Sequence, residues 1–456
     1  MKRWSMRQLE AWKENPRRKP LLLLGARQVG KTWLMQEFGR IHYKNVVYVR
    51  FDKDESMRQT FEQDYDVPRL LDALHVRSKV RIEPGETLVI LDEIQECPSA
   101  LTALKYFCEE ARDLHIIAAG SLLGVAEHTG TGFPVGKVDR VYLYPMSFTE
   151  FLDATGNAVY VELIWRRDWQ MMKLFHTKLV ELLRTYYYVG GMPEAVAAYA
   201  ENRDVVMVRQ IQLALLEDYR NDFRKHASKE ETHLISQIWK SLPSQLSRED
   251  KRFIASAVEP GCRAAKLRGP IRWLEDAGLI QLIPRVFRPE IPLQAYTDAA
   301  FKMFFLDVGL LAAKCEMDAD VLLEGNNIFM QYKGALTEQY VQQQLCAECG
   351  MSPYYWSAEK AQAEVDFLIS HARRVIPIEV KAERNLQAKS LRSFCKRYSC
   401  KLALRVSMSG YEVSEVRISD GPSCPGGHVY SILDIPLYSI SSAPVALAEM
   451  ISKERD

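Results

Sequence analysis

An octapeptide at residues 25–32, GARQVGKT, has the residue types and the spacing that hold a chain of phosphates. Its two glycines let successive backbone N–H groups face a phosphate, and Lys31 adds a positive charge for the outer phosphate oxygens. Thr32 adds a hydroxyl ligand for Mg²⁺. A Gly-rich turn that arises by chance is the alternative. The residues expected to contact a nucleoside triphosphate are Gly25, Ala26, Arg27, Gln28, Val29, Gly30, Lys31, Thr32 and Trp33.

An acidic pair follows the apolar run at residues 87–93, TLVILDE. Such a run is typical of a strand buried on both faces, as the central strands of a parallel sheet are. Because ligands bind at the carboxyl ends of these strands, we expect Asp92 to hold Mg²⁺, directly or through water. Glu93 is then expected to orient or deprotonate the attacking water. An ordinary solvated loop is the alternative for two acids that follow a strand.

A third strand-like run, HIIAA at residues 115–119, ends in Gly120 and Ser121. A small polar side chain at this point could sense the terminal phosphate or position the water. The alternative is that Ser121 only caps the next helix.

A second group of chemically capable residues lies nearer the C-terminus. Two apolar strands joined by a polar turn around residues 371–374 predict a hairpin. The hairpin puts Glu379 and Lys381 on one face and brings Asp366 from the partner strand, while Glu338 lies on an earlier helix. Carboxylates beside a lysine suit metal-dependent phosphodiester hydrolysis, since they supply oxygen ligands for Mg²⁺ and an ammonium that positions water. A solvated, salt-bridged strand face is the alternative.

Particular elements must position these residues. Pro20 and the run LLLL at 21–24 predict a strand before the first loop, and residues 32–38 have helical composition. Residues 151–230 have helical spacing that is broken by YVGGMPE at 188–194, where two glycines end one helix and Pro193 begins another. This helical subdomain is expected to cover the nucleotide site. A plain helical hairpin is the alternative for the turn.

Residues 231–312 have a different pattern. A helix that ends in AGLI at 277–280 runs into strand-like pieces with prolines, an arrangement typical of a winged helix-turn-helix, which can enter the DNA major groove. Basic residues that could contact phosphates there are Arg263, Lys266, Arg268, Arg272, Arg285 and Arg288. Acidic neighbours dilute this charge, so protein binding or the joining of domains is the alternative. A later basic stretch could track a backbone or form a solvated helix face, and comprises Arg384, Lys389, Arg392, Lys396 and Arg397.

The phosphate loop, LVILDEIQ at 88–95, AAGSLLG at 118–124, FPVGKV at 133–138 and YPMSFTEF at 144–151 together resemble a prokaryotic family of AAA-type ATPases. That family joins this domain to a C-terminal domain of originally unknown function, and the resemblance covers nearly the whole chain. It implies ATP hydrolysis, with Ser121 as the polar sensor residue and the turn at 190–193 near the nucleotide. It also implies an arginine that stabilises the transition state. Arg27 and Arg140 are candidates, with structural or solvated roles as the alternative.

The C-terminal residues resemble the PD-(D/E)xK nuclease superfamily. Asp366 matches its metal-binding aspartate, Glu379 and Lys381 match its acidic residue and lysine, and Glu338 matches the acid that many members carry on their first helix. Val365 stands where the motif has proline. The resemblance implies Mg²⁺ ligands at Glu338, Asp366 and Glu379, and Lys381 as a catalytic residue.

Composition limits the possible classes of protein. A chain of 456 residues is too long for one core, and a net charge of +1 argues against coating nucleic acid by bulk charge. No apolar stretch or signal-peptide core is long enough for a membrane or secretory segment, so we expect a cytoplasmic protein. The nine cysteines lack framework spacing, which predicts reduced thiols. Half a zinc site at Cys346 and Cys349, completed by Cys395 and Cys400, is the alternative.

The sequence therefore predicts a multidomain α/β protein. Its parts are a P-loop AAA-type ATPase domain with a parallel sheet (1–150), a helical subdomain (151–230), a winged helix-turn-helix-like domain (231–312) and a restriction-endonuclease-like α/β domain (313–456). Expected ligands and partners are ATP, ADP, Mg²⁺ and DNA or RNA, with a protein partner or homo-oligomer as further possibilities. Three functions are compatible: an ATP-driven motor or switch on nucleic acid with nuclease capability, an ATPase switch whose other domains only bind, and a scaffold that hydrolyses nothing.

Overall fold

The computed structural model describes residues 1–121, 133–226, 229–248, 250–320, 330–358, 363–382, 389–419 and 427–453. The chain divides into two compact units. The first unit comprises Met1–Tyr144 and Trp273–Leu279, and the second comprises Pro145–Arg272 and Ile280–Asp456. The four-part domain division remains a prediction.

The first unit is built on a five-stranded parallel sheet. Its strand order is β2-β3-β4-β1-β5, and all the pairings are parallel. This sheet confirms the predicted parallel α/β fold. The strands are β1 Leu21–Gly25, β2 Asn45–Arg50, β3 Thr87–Asp92, β4 His115–Ser121 and β5 Asp139–Tyr142. The helices are α1 Met6–Glu14, α2 Lys31–His42, α3 Glu55–Gln63, α4 Val67–Ser78 and α5 Pro98–Glu110.

The three central strands of this sheet are buried along their whole length. Their continuous apolar runs require helices on both faces, because a strand with apolar residues at every position has no face to offer water. The helix starts are fixed locally: Asp54 accepts a hydrogen bond from Met57 N (3.2 Å), and Asp66 accepts one from Arg69 N (2.8 Å). The carboxyl ends of β1, β3 and β4 thus carry the predicted chemical residues to one edge of the sheet.

The second unit combines a helical part with a larger sheet. Among the described residues, no helix is long and apolar enough to cross a membrane. Its helices are α6 Phe148–Ala154, α7 Ala158–Arg166, α8 Trp169–Leu174, α9 His176–Val189, α10 Pro193–Asn202, α11 Val205–His226, α12 Lys229–Leu246, α13 Ala264–Asp276, α14 Val308–Lys314, α15 Met330–Ala347, α16 Lys389–Tyr398 and α17 Ala443–Lys453, of which α13 continues into the first unit.

The sheet of the second unit has eight strands in the order β12-β13-β11-β10-β9-β8-β6-β7. It is mixed: β10, β11 and β13 run parallel, whereas β9 and β10 form the predicted antiparallel hairpin with Ile378 opposite Phe367. The strands are β6 Ile280–Val286, β7 Thr297–Phe305, β8 Tyr354–Ser357, β9 Glu364–His371, β10 Arg374–Lys381, β11 Leu402–Ser407, β12 Glu412–Ile418 and β13 His428–Pro436.

The predicted β-ribbon after helix α13 is present as β6 and β7, which pair antiparallel from Ile280 and Phe305. The ribbon does not stand alone, because Arg285 in β6 pairs in parallel with Tyr355 in β8. It thereby forms one end of the eight-stranded sheet. This pairing gives the ribbon a structural role in the sheet, and the winged helix remains a prediction.

A buried aspartate fixes the turn between helices α9 and α10. The carboxylate of Asp307 accepts hydrogen bonds from Gly191 N (2.7 Å), Leu310 N (3.0 Å) and Gln343 Nε2 (3.1 Å). Burial raises the pKa of Asp307, and the backbone donors oppose that rise. The Gly190–Gly191 turn is therefore held by packing within the second unit, and its predicted position near a nucleotide remains untested.

Gly191 lies where no larger residue fits. A Cβ at this position would collide with the carbonyl oxygen of Met146. The two residues cannot separate easily, because Met146 N donates a hydrogen bond to Gly191 O (2.6 Å) and Tyr186 Oη donates one to Met146 O (2.5 Å).

We expect Gly191→Ala to lower the free energy of unfolding by about 1–3 kcal/mol, because the added methyl must displace hydrogen-bonded backbone. Urea denaturation followed by circular dichroism measures this loss. Gly334→Ala is the matched control, since a Cβ there meets no atom within 4 Å and alanine favours the helix. Equal midpoints for the two variants would contradict the prediction.

Candidate nucleotide-binding site and a second charged cluster

The phosphate loop connects the end of β1 to the start of α2, as its sequence predicts. Gly25 ends the strand, and a Cβ there would collide with Leu143 O, so the close approach of a neighbouring chain segment requires glycine. Gln28 and Gly30 have positive φ angles of 65° and 93°. This backbone turns the loop toward the N-terminus of α2, where free N–H groups and the helix dipole favour an anion.

Lys31 is held inside the loop. Its Nζ donates hydrogen bonds to the carbonyl oxygens of Gly25 (2.9 Å) and Ala26 (2.8 Å). Burial lowers the pKa of Lys31 to about 8, although the charges of Glu93 and Asp92 oppose this effect. The lysine therefore keeps its charge near neutral pH and loses it as the pH rises through about 8.

Asp92 joins three elements at the carboxyl edge of the sheet. Its Oδ2 accepts hydrogen bonds from Thr32 Oγ1 (2.7 Å) and from Tyr48 Oη (2.9 Å). Burial raises the pKa of Tyr48, and the nearby Asp92 raises it further. A hydroxyl and a carboxylate at this distance are hard oxygen donors of the kind that Mg²⁺ takes, so the residues present fit that ion. Tyr48 belongs to no sequence motif, so the sequence analysis did not identify it as a residue of this site.

Glu93 adopts a left-handed backbone conformation, with φ of 52°, directly after β3. Its Oε2 accepts a hydrogen bond from Gln95 Nε2 (2.6 Å), and Gln95 Oε1 accepts one from Ser121 N (3.3 Å). Gln95 thus links the predicted water-orienting residue to the predicted phosphate sensor. The sequence places Gln95 within the LVILDEIQ segment but gives it no role.

The second charged cluster contains two lysines that the sequence analysis missed. Lys251 Nζ contacts Glu338 Oε1, and Lys302 Nζ lies 3.7 Å from Glu338 Oε2 and 2.5 Å from Glu364 Oε1. Lys302 is fully buried. Burial alone would raise the pKa of Glu338, but the two lysines outweigh it and hold the pKa below its ordinary value. Glu338 is therefore a buried carboxylate with counter-charges supplied by the protein.

The hairpin brings the other three predicted residues together. Lys381 Nζ lies 2.7 Å from Glu379 Oε1, and Val380 N donates a hydrogen bond to Asp366 Oδ2 (2.7 Å). Burial, followed by the charges of Glu338 and Glu379, raises the pKa of Asp366 well above its ordinary value. Burial also raises the pKa of Glu379, although Lys381 opposes this rise. The predicted alternation of the strands is thus confirmed.

The cluster does not gather its carboxylates into a metal site. Among the described residues, no group of three or more His, Cys, Asp or Glu side chains lies close enough to hold a metal ion. One oxygen each of Glu338 and Glu379 is buried without a hydrogen-bond donor in the described structure. The ammonium groups of Lys251 and Lys381 contact the other oxygens of these two carboxylates and already supply positive charge, so the arrangement does not fit the predicted Mg²⁺ site at Glu338, Asp366 and Glu379.

Residues 17–152 match the family model of an AAA domain. Together with the parallel sheet and the phosphate loop, this match supports a P-loop ATPase of the AAA type. Two further models, each described as a domain of unknown function, match residues 180–320 (DUF8612) and 333–419 (DUF4143). No curated protein matches the chain.

Solved structures give weaker similarities. The Walker-type ATPase PABY2304 of Pyrococcus abyssi is 16% identical over 68% of this chain and 94% of its own, with a TM-score of 0.42. The Aeropyrum pernix Orc1 protein in complex with DNA is 14% identical over 70% and 93%, with a TM-score of 0.29. The Cdc6p protein of Pyrobaculum aerophilum is 14% identical over 70% and 93%, with a TM-score of 0.26. Similarity this low supports no inference about partners.

Three arginines of the first unit have different surroundings. Arg3 is buried, and its guanidinium donates hydrogen bonds to Val29 O (2.8 Å) and Tyr144 O (2.6 Å), a bracing role that no motif announces. Arg140 lies on β5 with its guanidinium 4.9 Å from the Phe133 ring centre. Arg27 lies in the loop, and its positive charge lowers the pKa of Lys31 further. The choice of a transition-state arginine remains a prediction.

Other predicted residues have plainer surroundings. Trp33 is exposed on the first turn of α2, and Ser121 is buried at the end of β4. The described cysteines are free thiols, and they form no metal-ready group with the described acids and histidines. Residues 122–124 of the AAGSLLG segment and Arg384 lie outside the described residues.

We expect nucleotide affinity to fall as the pH rises through about 8, because the neutral form of Lys31 has no charge for a phosphate. The Kd for a non-hydrolysable ATP analogue should increase about tenfold between pH 7 and pH 9. Isothermal titration calorimetry measures the change. Lys31→Met should bind weakly at pH 7 and show no such increase; an equal pH response in this variant would contradict the role of Lys31.

We expect Lys302→Met to lower the free energy of unfolding by about 3 kcal/mol or more, because it removes the counter-charge of Glu364 and one of the two lysines beside the buried Glu338. Adding Glu364→Gln should recover part of this loss, which a double-mutant cycle in urea measures. The control is Arg288→Met, which breaks the exposed 2.7 Å pair with Glu290 and should leave the midpoint nearly unchanged. Strict additivity of Lys302→Met and Glu364→Gln would show that the two side chains do not interact.

Proposed function

We propose that the chain is an ATP-binding, Mg²⁺-dependent ATPase that acts as a motor or switch on nucleic acid. The observation that carries the ATPase part is the 2.7 Å hydrogen bond from Thr32 Oγ1 to Asp92 Oδ2, next to Glu93 on the same strand end. It joins two residues that lie 60 positions apart in the sequence and belong to the two predicted halves of the site. Basic residues around residues 263–288 support nucleic acid as the partner, and a protein partner is the second possibility.

Each residue of the site has a distinct part in the proposed reaction. Lys31 and the loop N–H groups bind the phosphates, while Thr32 and Asp92 hold the ion. When bound, Mg²⁺ offsets negative charge on the phosphate oxygens. Glu93 orients the attacking water and accepts its proton.

Gln95 fixes the Glu93 carboxylate in this scheme, and Ser121 contacts the outer phosphate. A chain with both Asp92 and Glu93 is better suited to hydrolysis than to a scaffold that only binds nucleotide. The domain boundaries at 150, 230 and 312, a cytoplasmic location, a homo-oligomer and an arginine from Arg27 or Arg140 belong to the same proposal.

A second candidate concerns the C-terminal domain alone. The contacts of Lys251 and Lys302 with Glu338 favour a nuclease-like domain that binds its partner without cutting it. Ammonium groups that already neutralise the carboxylate compete with the divalent ion that cleavage needs. In this version ATP turnover changes the binding of a nucleic-acid strand or a protein. The four residues of the cluster then stabilise the domain: Glu338, Asp366, Glu379 and Lys381.

One experiment separates these functions. The purified chain is incubated with ATP and Mg²⁺, with and without single- or double-stranded DNA or RNA, and phosphate release and strand integrity are followed in the same tube. We expect nucleic acid to stimulate turnover at least about threefold, and Glu93→Gln to reduce turnover about 100-fold or more while ATP still binds.

Variants of the second cluster complete the test. Nicking that requires Mg²⁺ and is lost in Asp366→Asn and Lys381→Ala, with ATP hydrolysis intact, would support the nuclease and exclude the binding-only version. Intact strands with stimulated turnover would support binding only. Turnover that persists unchanged in Glu93→Gln would overturn the assigned site, and turnover that no nucleic acid alters would overturn the proposed partner.

A further inference from the structure

A cavity of about 440 Å³ lies at the turn end of the β9–β10 hairpin. This volume falls within the range of roughly 300–1,000 Å³ found for small-ligand sites. The hairpin turn, the end of helix α16 and the loop between β6 and β7 all contribute to its lining. These segments are far apart in sequence, so the cavity is a product of the eight-stranded sheet.

The charge of this cavity is strongly positive. Arg373, Arg374 and Lys401 line it. Glu290 is the acidic side chain among the described lining residues, and its Oε1 lies 2.7 Å from Arg288 Nε. The pair adds a further arginine to the rim while it neutralises the carboxylate. Anions are therefore favoured over cations at this position.

The backbone of the turn sets the place of the arginines. Ala372 and Arg373 both have positive φ angles, 47° and 62°, as the two central residues of a tight hairpin turn. His371 and Arg374 pair directly on either side. A two-residue turn on a buried sheet leaves the chain little freedom, so the two guanidinium groups start from fixed Cα positions.

Apolar and aromatic side chains make up most of the rest of the lining, together with Ser399 and Cys400. Ile376 and Leu402 are buried beneath the cavity, and Tyr398 contributes an aromatic ring. The Tyr398 hydroxyl accepts a hydrogen bond from Trp356 Nε1 (3.2 Å), which holds the ring in place. An apolar floor with an aromatic side chain suits a planar base, and the cations suit its phosphate.

We propose that this cavity binds one nucleotide unit of a single-stranded nucleic acid, with the phosphate at Arg373 and Lys401 and the base against Tyr398. The proposal rests on the proposed action on nucleic acid and adds a place where the strand is held. It concerns a different region from the charged cluster, because Arg374 and Lys381 lie at opposite ends of β10, about 20 Å apart along an extended strand.

The test uses the full chain and a labelled oligothymidylate, with binding followed by fluorescence anisotropy at several salt concentrations. We expect Arg373→Gln with Lys401→Gln to weaken binding about tenfold and to reduce the salt slope by about 0.7, because the two cations that hold one phosphate are lost. Arg417→Gln, which removes an exposed charge on β12 that does not line the cavity, is the matched control and should change binding less than twofold.

Competitors identify the source of the recognised group. Thymidine monophosphate should compete weakly and polyglutamate hardly at all, whereas equal competition by polyglutamate would overturn nucleotide recognition. Unchanged affinity and salt slope in the double variant would overturn the cavity alone, leaving a strand that binds elsewhere. No binding by the unaltered chain would overturn both the cavity and the proposed partner. Lys401→Glu, a single change at an exposed position, provides the measurement if the double variant melts early.

Discussion

The carboxylate of Asp307 is the contact on which the second unit depends. It caps helix α14 through Leu310, holds the Gly190–Gly191 turn and meets Gln343 on helix α15. Gln343 returns the contact, because its Oε1 accepts a hydrogen bond from Val308 N (3.0 Å). A buried carboxylate with several donors is stable only while each donor keeps its place, so one side chain fixes three segments at once. The close packing of the glycines follows from this constraint.

The AAA domain shows which features of a fold can be inferred from local sequence. Strand β1, the phosphate loop and helix α2 are contiguous, and the apolar run before Asp92 reports its burial directly. The carboxyl-edge rule for parallel sheets then brings Thr32 and Asp92 together without further information. Tyr48 could not be found in this way, since a tyrosine on a partly buried strand has no signature that distinguishes a hydrogen-bonding role from packing.

The charged cluster shows where such inference stops. The alternation of β9 and β10 correctly predicts that Glu379 and Lys381 meet, and the hairpin brings Asp366 to the backbone of Val380 between them. Lys251 and Lys302 come from segments separated from Glu338 by 87 and 36 residues, and neither stands in a motif. Because the two ammonium groups already supply positive charge, the carboxylates beside them do not need a metal ion for that purpose. Lys302 becomes a neighbour of Glu338 only because β7 pairs with β6 and so joins the eight-stranded sheet.

The two regions that match domains of unknown function are consequently not independent folding modules. Lys251, Lys302 and Asp307 belong to residues 180–320, whereas Glu338, Glu364 and Gln343 belong to residues 333–419. The lysines of the first region pair with the glutamates of the second, and Asp307 of the first accepts a hydrogen bond from Gln343 of the second. A fragment cut at residue 320 or 333 would expose the edge of β6. It would also leave buried charges without their partners. The boundary between the two family models therefore falls inside a single network of buried ion pairs and hydrogen bonds.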